Sequence, residues 1–146
     1  MKDELKAKCE RWREEVEYHA KEELLPFWIE RAEDRRHGGF ITHFDSKGLE
    51  SGEDEKSLIA QTRSVFSFSM AARYAVQPER STELARQGVR FLIDKMWDRE
   101  NEGFLWTVKR DGTPLITRKI LYGQSFAIYG LCQYYRATGD REALSY

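Results

Sequence analysis

Apolar residues recur along this chain in two different helical patterns. Over residues 3–21 and again over 81–97, apolar positions such as Leu5, Cys9, Trp12 and Val16, or Leu84, Val89, Leu92 and Met96, fall on one side of a helix and charges on the other. Helices of that kind face solvent on one side. Pro26 is expected to interrupt the first, leaving a separate short helix over 27–32. Two further segments differ sharply: over 57–72 the only charge is Arg63, and over 120–135 there is none. Helices apolar around their whole circumference are expected to be buried. An exposed outer helix followed by a buried inner helix, twice over, predicts an all-α, double-layered helical ring.

The same alternation appears as an internal repeat. Phe27, Ile29, Asp34, Arg35, Gly39, Phe40 and Gly48 match Phe91, Ile93, Asp98, Arg99, Gly103, Phe104 and Gly112, each 64 positions later. After one deletion, Lys56, Leu58 and Gln61 match Lys119, Leu121 and Gln124 at an offset of 63. Each unit runs through an outer helix, an Asp-Arg turn, a glycine and an aromatic, a short hairpin and an inner helix. The alternating stretches 40–45 and 104–109, ending in Asp-Ser-Lys-Gly and Arg-Asp-Gly, predict β-hairpins at a rim. Asp140 is placed to cap a new helix, with six residues after it. The chain is therefore expected to stop mid-unit.

Composition narrows the partner. The chain has 146 residues, 34% of them charged, and its 24 basic and 25 acidic residues are mixed along the length to give a net charge of -1. No basic stripe suggests nucleic acid and no polybasic run or long apolar stretch suggests a membrane. A small neutral partner is expected. The charged start, MKDELKAK, does not resemble a secretory signal, so a cytoplasmic protein is expected. Cys9 and Cys132, far apart in helical segments, fit free thiols.

No nucleotide-binding glycine motif, Cys-x-x-Cys, His-Glu-x-x-His or nucleophile elbow is present. His37 and His43 flank the first hairpin without a carboxylate or cysteine at ligand spacing, and His19 sits in a charged helix, so no metal and no cofactor is expected. Arg63 stands out, because an ionised side chain inside an apolar helix costs several kcal/mol unless paired or facing a wet cavity. Two readings fit: a cavity-facing cation, or an internal salt bridge. At 100° per residue it shares a face with Lys56, Ile59, Ser67, Met70 and Tyr74, a mixture suited to a sugar-sized cavity. Tyr122, the repeat equivalent of Ile59, should point the same way and offers a ring and a hydroxyl to a sugar. Gln61 and Gln124, away from that face, are expected to hydrogen-bond between helices. Lys56 and Lys119 begin the inner helices, where the dipole disfavours a cation, which suggests contacts at the rim.

The segments HGGFITHFDSKG, EKSLIAQTRSVFSFSMAARY, WDRENEGFLW and RKILYGQSFAIYGLCQYYRATGD resemble, in that order, the N-acylglucosamine 2-epimerase superfamily. The wording is nearer to its cellobiose and mannobiose branch, with Phe66 where that branch often has tryptophan. The resemblance implies a six-unit (α/α) barrel, which at ~64 residues per unit needs roughly 380 residues, so residues 1–146, with just over two units, are expected to be the N-terminal part of a single barrel domain. It also implies proton transfer at sugar C2 by two histidines through a cis-enediolate, without metal or nucleotide. Both histidines belong to later units, so this general acid/base pair is expected downstream of Tyr146 and is not assigned to His19, His37 or His43. What carries over is Arg63 at the developing enediolate oxygen and Tyr122 in the sugar pocket, with Phe66, Lys56 and Lys119 as further substrate contacts. The implied partner is a sugar, with a homodimer as the assembly open to a full-length protein. An aldose–ketose isomerase of the same superfamily and a non-catalytic helical sugar-binding module are the alternatives. A glycan-cleaving enzyme would need paired carboxylates, and neither inner segment carries one.

Overall fold

The computed structural model describes residues 2–146. Helix α1 (Lys2–Tyr18) runs through a wider, π-type stretch (His19–Leu24) into α2 (Leu25–Arg31). The short helix expected after Pro26 is present as α2, but it follows the π-type stretch without a gap, and Pro26 sits in its first turn. The first inner helix is α3 (Leu58–Arg73). The second outer helix, α4 (Pro78–Phe91), also ends in a π-type stretch (Leu92–Met96), and α5 (Leu121–Thr138) is the second inner helix. Asp140 accepts from the Glu142 N–H and caps a 3-10 turn (Arg141–Ser145). That turn carries Tyr146 back onto the core, where its ring meets Trp97 edge-on with centroids 5.2 Å apart.

The rim differs from expectation in one respect. Strands β1 (Glu55–Ser57), β2 (Thr107–Lys109) and β3 (Pro114–Ile116) form an antiparallel sheet in the order β1-β2-β3, so the second hairpin forms and gains a strand from the first unit. The first expected hairpin forms no strand: Phe44 makes an isolated bridge with Glu50, and Phe40 another with Glu33. Its turn is closed by the Asp45 carboxylate, which accepts from the Lys47 and Leu49 amides. It adds to the backbone bonds from the Asp45 N–H to Leu49 and from the Ser51 N–H to His43.

Helix α3 lies at the centre, packed on α4 and on α5. Phe68, Val65 and Leu58 of α3 join Leu84, Val89 and Leu92 from the second outer helix and Leu131 and Tyr134 from α5 in one core. The approach of α3 to α5 depends on small residues. A Cβ on Gly130 would stand 2.8 Å from the Thr62 carbonyl oxygen, a backbone atom that cannot move aside. Overpacking of this kind costs ~1 to 3 kcal/mol, while alanine returns at most about 1 kcal/mol of helix propensity. Gly130→Ala is therefore expected to lower the melting temperature by several degrees, and a melt at or above the parent's would show that the two backbones are free to separate.

The inner helices are not buried all round, as their composition suggested. Leu121, Ile128 and Tyr129 of α5 stay exposed, and α1 buries none of its residues. Apolarity on every face reports the contacts a helix is suited to make; this chain supplies neighbours on only some of them.

Candidate functional site

Each unit is stapled by the residues that repeat. The Asp34 carboxylate accepts from the Arg36 and His37 amides, and Asp98 accepts equivalently from Glu100 and Asn101. The lysine that begins the next inner helix reaches back to that aspartate: Lys56 Nζ to Asp34 at 2.9 Å, Lys119 Nζ to Asp98 at 2.6 Å. One turn further on, each glutamine clamps a backbone. Gln61 accepts from the Phe40 N–H and donates to its carbonyl, both at 2.8 Å, and Gln124 does the same for Phe104. The glutamines thus join helix to loop, not helix to helix. Gly39 has to be glycine beside this clamp, since its φ is +67° and a Cβ would lie 2.7 Å from Gln61 and from Phe91.

This geometry corrects the expectation for Lys56. Lys56 is 3% exposed, its ammonium bonded to Asp34 and to the Gly38 carbonyl and seated 4.5 Å from the centre of the Phe91 ring. A cation so enclosed is not free to meet a sugar. Lys119 is engaged with Asp98 and is only partly covered. Burial pushes the Lys56 ammonium down from its ordinary value, with Asp34 opposing. Burial likewise works to raise Asp34, but the hydrogen bonds from Arg110 and Lys56 outweigh it and hold the carboxyl well below the usual carboxylate range. A depressed carboxylate contributes stability that is fully present above the unfolded value of about 3.9 and is lost as pH falls toward its folded value. Acid unfolding should accordingly begin below about pH 4, and Asp34→Asn should flatten that limb in a circular-dichroism titration; an unchanged limb would assign acid sensitivity to other carboxylates.

The other expected site residues lie on the inner helices, Arg63 and Phe66 on α3 and Tyr122 on α5. Arg63 is exposed and, among the described residues, makes neither an ion pair nor a hydrogen bond. It borders an open cleft of about 390 Å³ with Leu25, Trp28, Thr42, Ser64 and Ser67. One turn along α3, Phe66 stacks on Tyr129 of α5 with ring centroids 4.1 Å apart and planes at 13°. Tyr129 meets Phe126 edge-on, and Phe126 meets Tyr122 edge-on at 4.9 Å. Phe66 and Tyr122 therefore belong to one aromatic row across both inner helices. Phe126 and Tyr129 were not singled out from the sequence, although they are the repeat equivalents of Arg63 and Phe66 at an offset of 63.

The chain's own histidines stand apart from that row. His19 pairs with Glu23 on the exposed outer segment, His37 lies in the Asp34 turn, and His43 lies within 3.5 Å of the Thr42 hydroxyl. None of them forms the facing pair that the resemblance expects downstream of Tyr146. Tyr146 itself packs on Trp97 in the core and takes no part in the cleft beside Arg63. Among the described residues no group of three or more His, Cys, Asp or Glu is placed to hold a metal ion, and both cysteines are free and exposed. No described helix is long and apolar enough to cross a membrane.

Two outer and two inner helices, with an aromatic row and the unpaired Arg63 on the inner pair, define an arc of a double-layered helical barrel. Residues 39–145 match the N-acylglucosamine 2-epimerase (GlcNAc 2-epimerase) family, and the chain belongs to that family. It is 36% identical over 134 residues to the cellobiose 2-epimerase of Bacteroides fragilis, a match covering 92% of this chain and 34% of that protein. The cellobiose 2-epimerase of Dictyoglomus turgidum is 36% identical over 130 residues, covering 89% of this chain and 33% of that one. The structure of the cellobiose 2-epimerase from Spirochaeta thermophila superposes with a TM-score of 0.87 at 35% identity, over 97% of this chain and 34% of its own. The fold is that of the (α/α)6-barrel epimerases. The chain spans about a third of the length of the relatives it matches.

Proposed function

We propose that this chain is the N-terminal part of a cytoplasmic sugar 2-epimerase that inverts C2 of a reducing aldose of the cellobiose, mannose or N-acylglucosamine type through a cis-enediolate. The observation that carries the reading is Arg63, a permanent cation without a carboxylate partner among the described residues, one turn from a row of aromatic rings. When a base removes the C2 proton, negative charge appears on the carbonyl oxygen, and a positioned guanidinium stabilises it more than the ground state. The rings of Phe66 and Tyr122 offer apolar faces to a sugar, and the Tyr122 hydroxyl offers a hydrogen bond. The histidines that exchange the proton belong, on this reading, to later units of one barrel domain, beyond Tyr146. No cofactor is required, because base, acid and electrophile suffice for the exchange.

The test is a chimera in which this chain replaces the matching third of the Bacteroides fragilis cellobiose 2-epimerase. Incubated with cellobiose or mannose, it is expected to form the 2-epimer. Ketose as the main product would favour the isomerase branch, and a folded chimera that only binds sugar would favour a non-catalytic module. In the active chimera Tyr122→Phe keeps the ring and removes one hydrogen bond. A loss of roughly 0.5 to 1.5 kcal/mol in kcat/KM is expected, about two- to thirteenfold, and unchanged kinetics would remove the hydroxyl from the site.

A further inference from the structure

The loop over 41–54 is held from both of the units this chain contains. Its two limbs are joined to each other by the Phe44–Glu50 bridge and by the Ser51 N–H, which donates to the His43 carbonyl. On one side Phe44 packs edge-on against Phe27 and Trp28, with ring centroids 5.4 and 5.5 Å away, and Arg31 donates to the Gly48 carbonyl at 2.8 Å. Those contacts come from the loop's own unit. The other side is held from the second unit, by Arg110.

Arg110 follows β2 and enters between the limbs, beside Ile41, His43, Glu50 and Glu53. Its guanidinium donates to the buried Asp34 carboxylate at 2.7 Å and to the Glu50 carboxylate, and its backbone N–H donates to the Asp54 carbonyl at 3.2 Å. The planar fork lets one side chain hold two carboxylates at once. Asp34 is already fixed by Lys56 and two amides, so the guanidinium is anchored at that end and the loop is what it restrains. Ser46 stands 64 positions before Arg110, so the arginine is not among the residues that both units repeat. It is an addition to the staple and not a part of it.

The restrained loop supplies a wall of the candidate site. Thr42, on its first limb, and Trp28, against which Phe44 packs, both border the cleft beside Arg63. We propose that Arg110 is a positioning residue for the sugar: by tying Glu50 to Asp34 it keeps the 41–54 loop in place, so that Thr42 meets the sugar on which Arg63 acts, without touching the sugar itself. Every residue of this clasp lies between positions 34 and 110. The proposal rests on the epimerase reading for the identity of the ligand.

The test uses the chimera, with cellobiose kinetics, calorimetric binding of cellobiose and hydrogen exchange of the loop measured on each variant. Glu50→Ala opens the loop end of the clasp and leaves Asp34 both of its cations. Exchange over 47–54 should quicken. A loop in place for only about a third to a tenth of the time raises KM and Kd about three- to tenfold. Because the sugar-bound enzyme has the loop in place, kcat should stay within about twofold. Arg110→Met should act alike, and the double variant should do no more than either single, since both cut one clasp. Thr42→Val should also raise KM, and Glu50→Ala added to it should have less effect than it has alone. Glu50→Gln is the second variant if Glu50→Ala melts early. Unchanged KM and Kd in the Glu50 and Arg110 variants, unchanged loop exchange, or a fall in kcat at parental KM overturns the proposal. A parent chimera that binds cellobiose without converting it would fail the epimerase reading and leave Kd to decide the clasp. A parent that converts it, with variants at parental KM, would fail the clasp alone, and a parent that does neither would remove both.

Discussion

Replacing Arg63 by alanine in an active chimera is expected to lower kcat by ~10² to 10³, about 2.7 to 4 kcal/mol, the loss usual for one donor to a developing oxyanion. The melting temperature should scarcely move. That second half follows from the structure: Arg63 is exposed and no described residue pairs with it, so its removal strands no buried charge within this arc. Arg63→Lys keeps the charge and loses the planar fork, and an intermediate loss in kcat is expected, with KM changing less than kcat because the sugar's ground state carries no negative oxygen. The competing account, an ion pair to an acidic residue elsewhere in the barrel, predicts the reverse pattern. Breaking such a pair costs ~3 to 5 kcal/mol of stability. Near-normal turnover with a collapsed melting point would therefore place Arg63 in the scaffold and remove it from the chemistry.

What could be read from the sequence was what is encoded locally. The two kinds of helix follow from charge placement at a period near 3.6, and the order of the elements follows from the repeat. The π-type stretches before Leu25 and after Phe91 left no mark, because widening a turn by one residue barely disturbs that period. Lys56 was misplaced for a different reason. A cation in the first turn of a helix suggests a solvent-facing rim, and nothing local indicates that Lys56 turns back to an aspartate 22 residues earlier. The clue was in the repeat, where aspartate, glycine, aromatic, lysine and glutamine recur together in both units. Residues that recur as a set across units hold the unit together, whereas Arg63 and Tyr122 occupy positions where the units differ, Phe126 and Ile59 standing opposite them. Difference between equivalent positions was the better guide to the candidate site.

The same repeat supplies an internal control for the stability of the staple. Asp34→Ala and Asp98→Ala both remove a carboxylate that accepts two backbone amides in a turn, and that part of the loss should be alike. The lysine partners differ. Lys119 is partly exposed, and an ion pair of that kind contributes ~0 to 1 kcal/mol. Lys56 is almost wholly buried, so Asp34→Ala leaves an ammonium out of water with one carbonyl and the face of Phe91, and costs ~3 to 5 kcal/mol. At ~3 °C per kcal/mol for a domain of this size the expected fall is roughly 9 to 15 °C for Asp34→Ala, against a few degrees for Asp98→Ala. Lys56→Met should be milder than Asp34→Ala, because Asp34 keeps Arg110 at 2.7 Å as well as its two amides. If the stranded ammonium is the cause, adding Lys56→Met to Asp34→Ala should recover part of the loss, a non-additivity that two independent defects would not show. Equal melting points for Asp34→Ala and Asp98→Ala, or a double variant worse than both singles combined, would mean that burial of the Lys56 pair carries no more weight than its exposed counterpart.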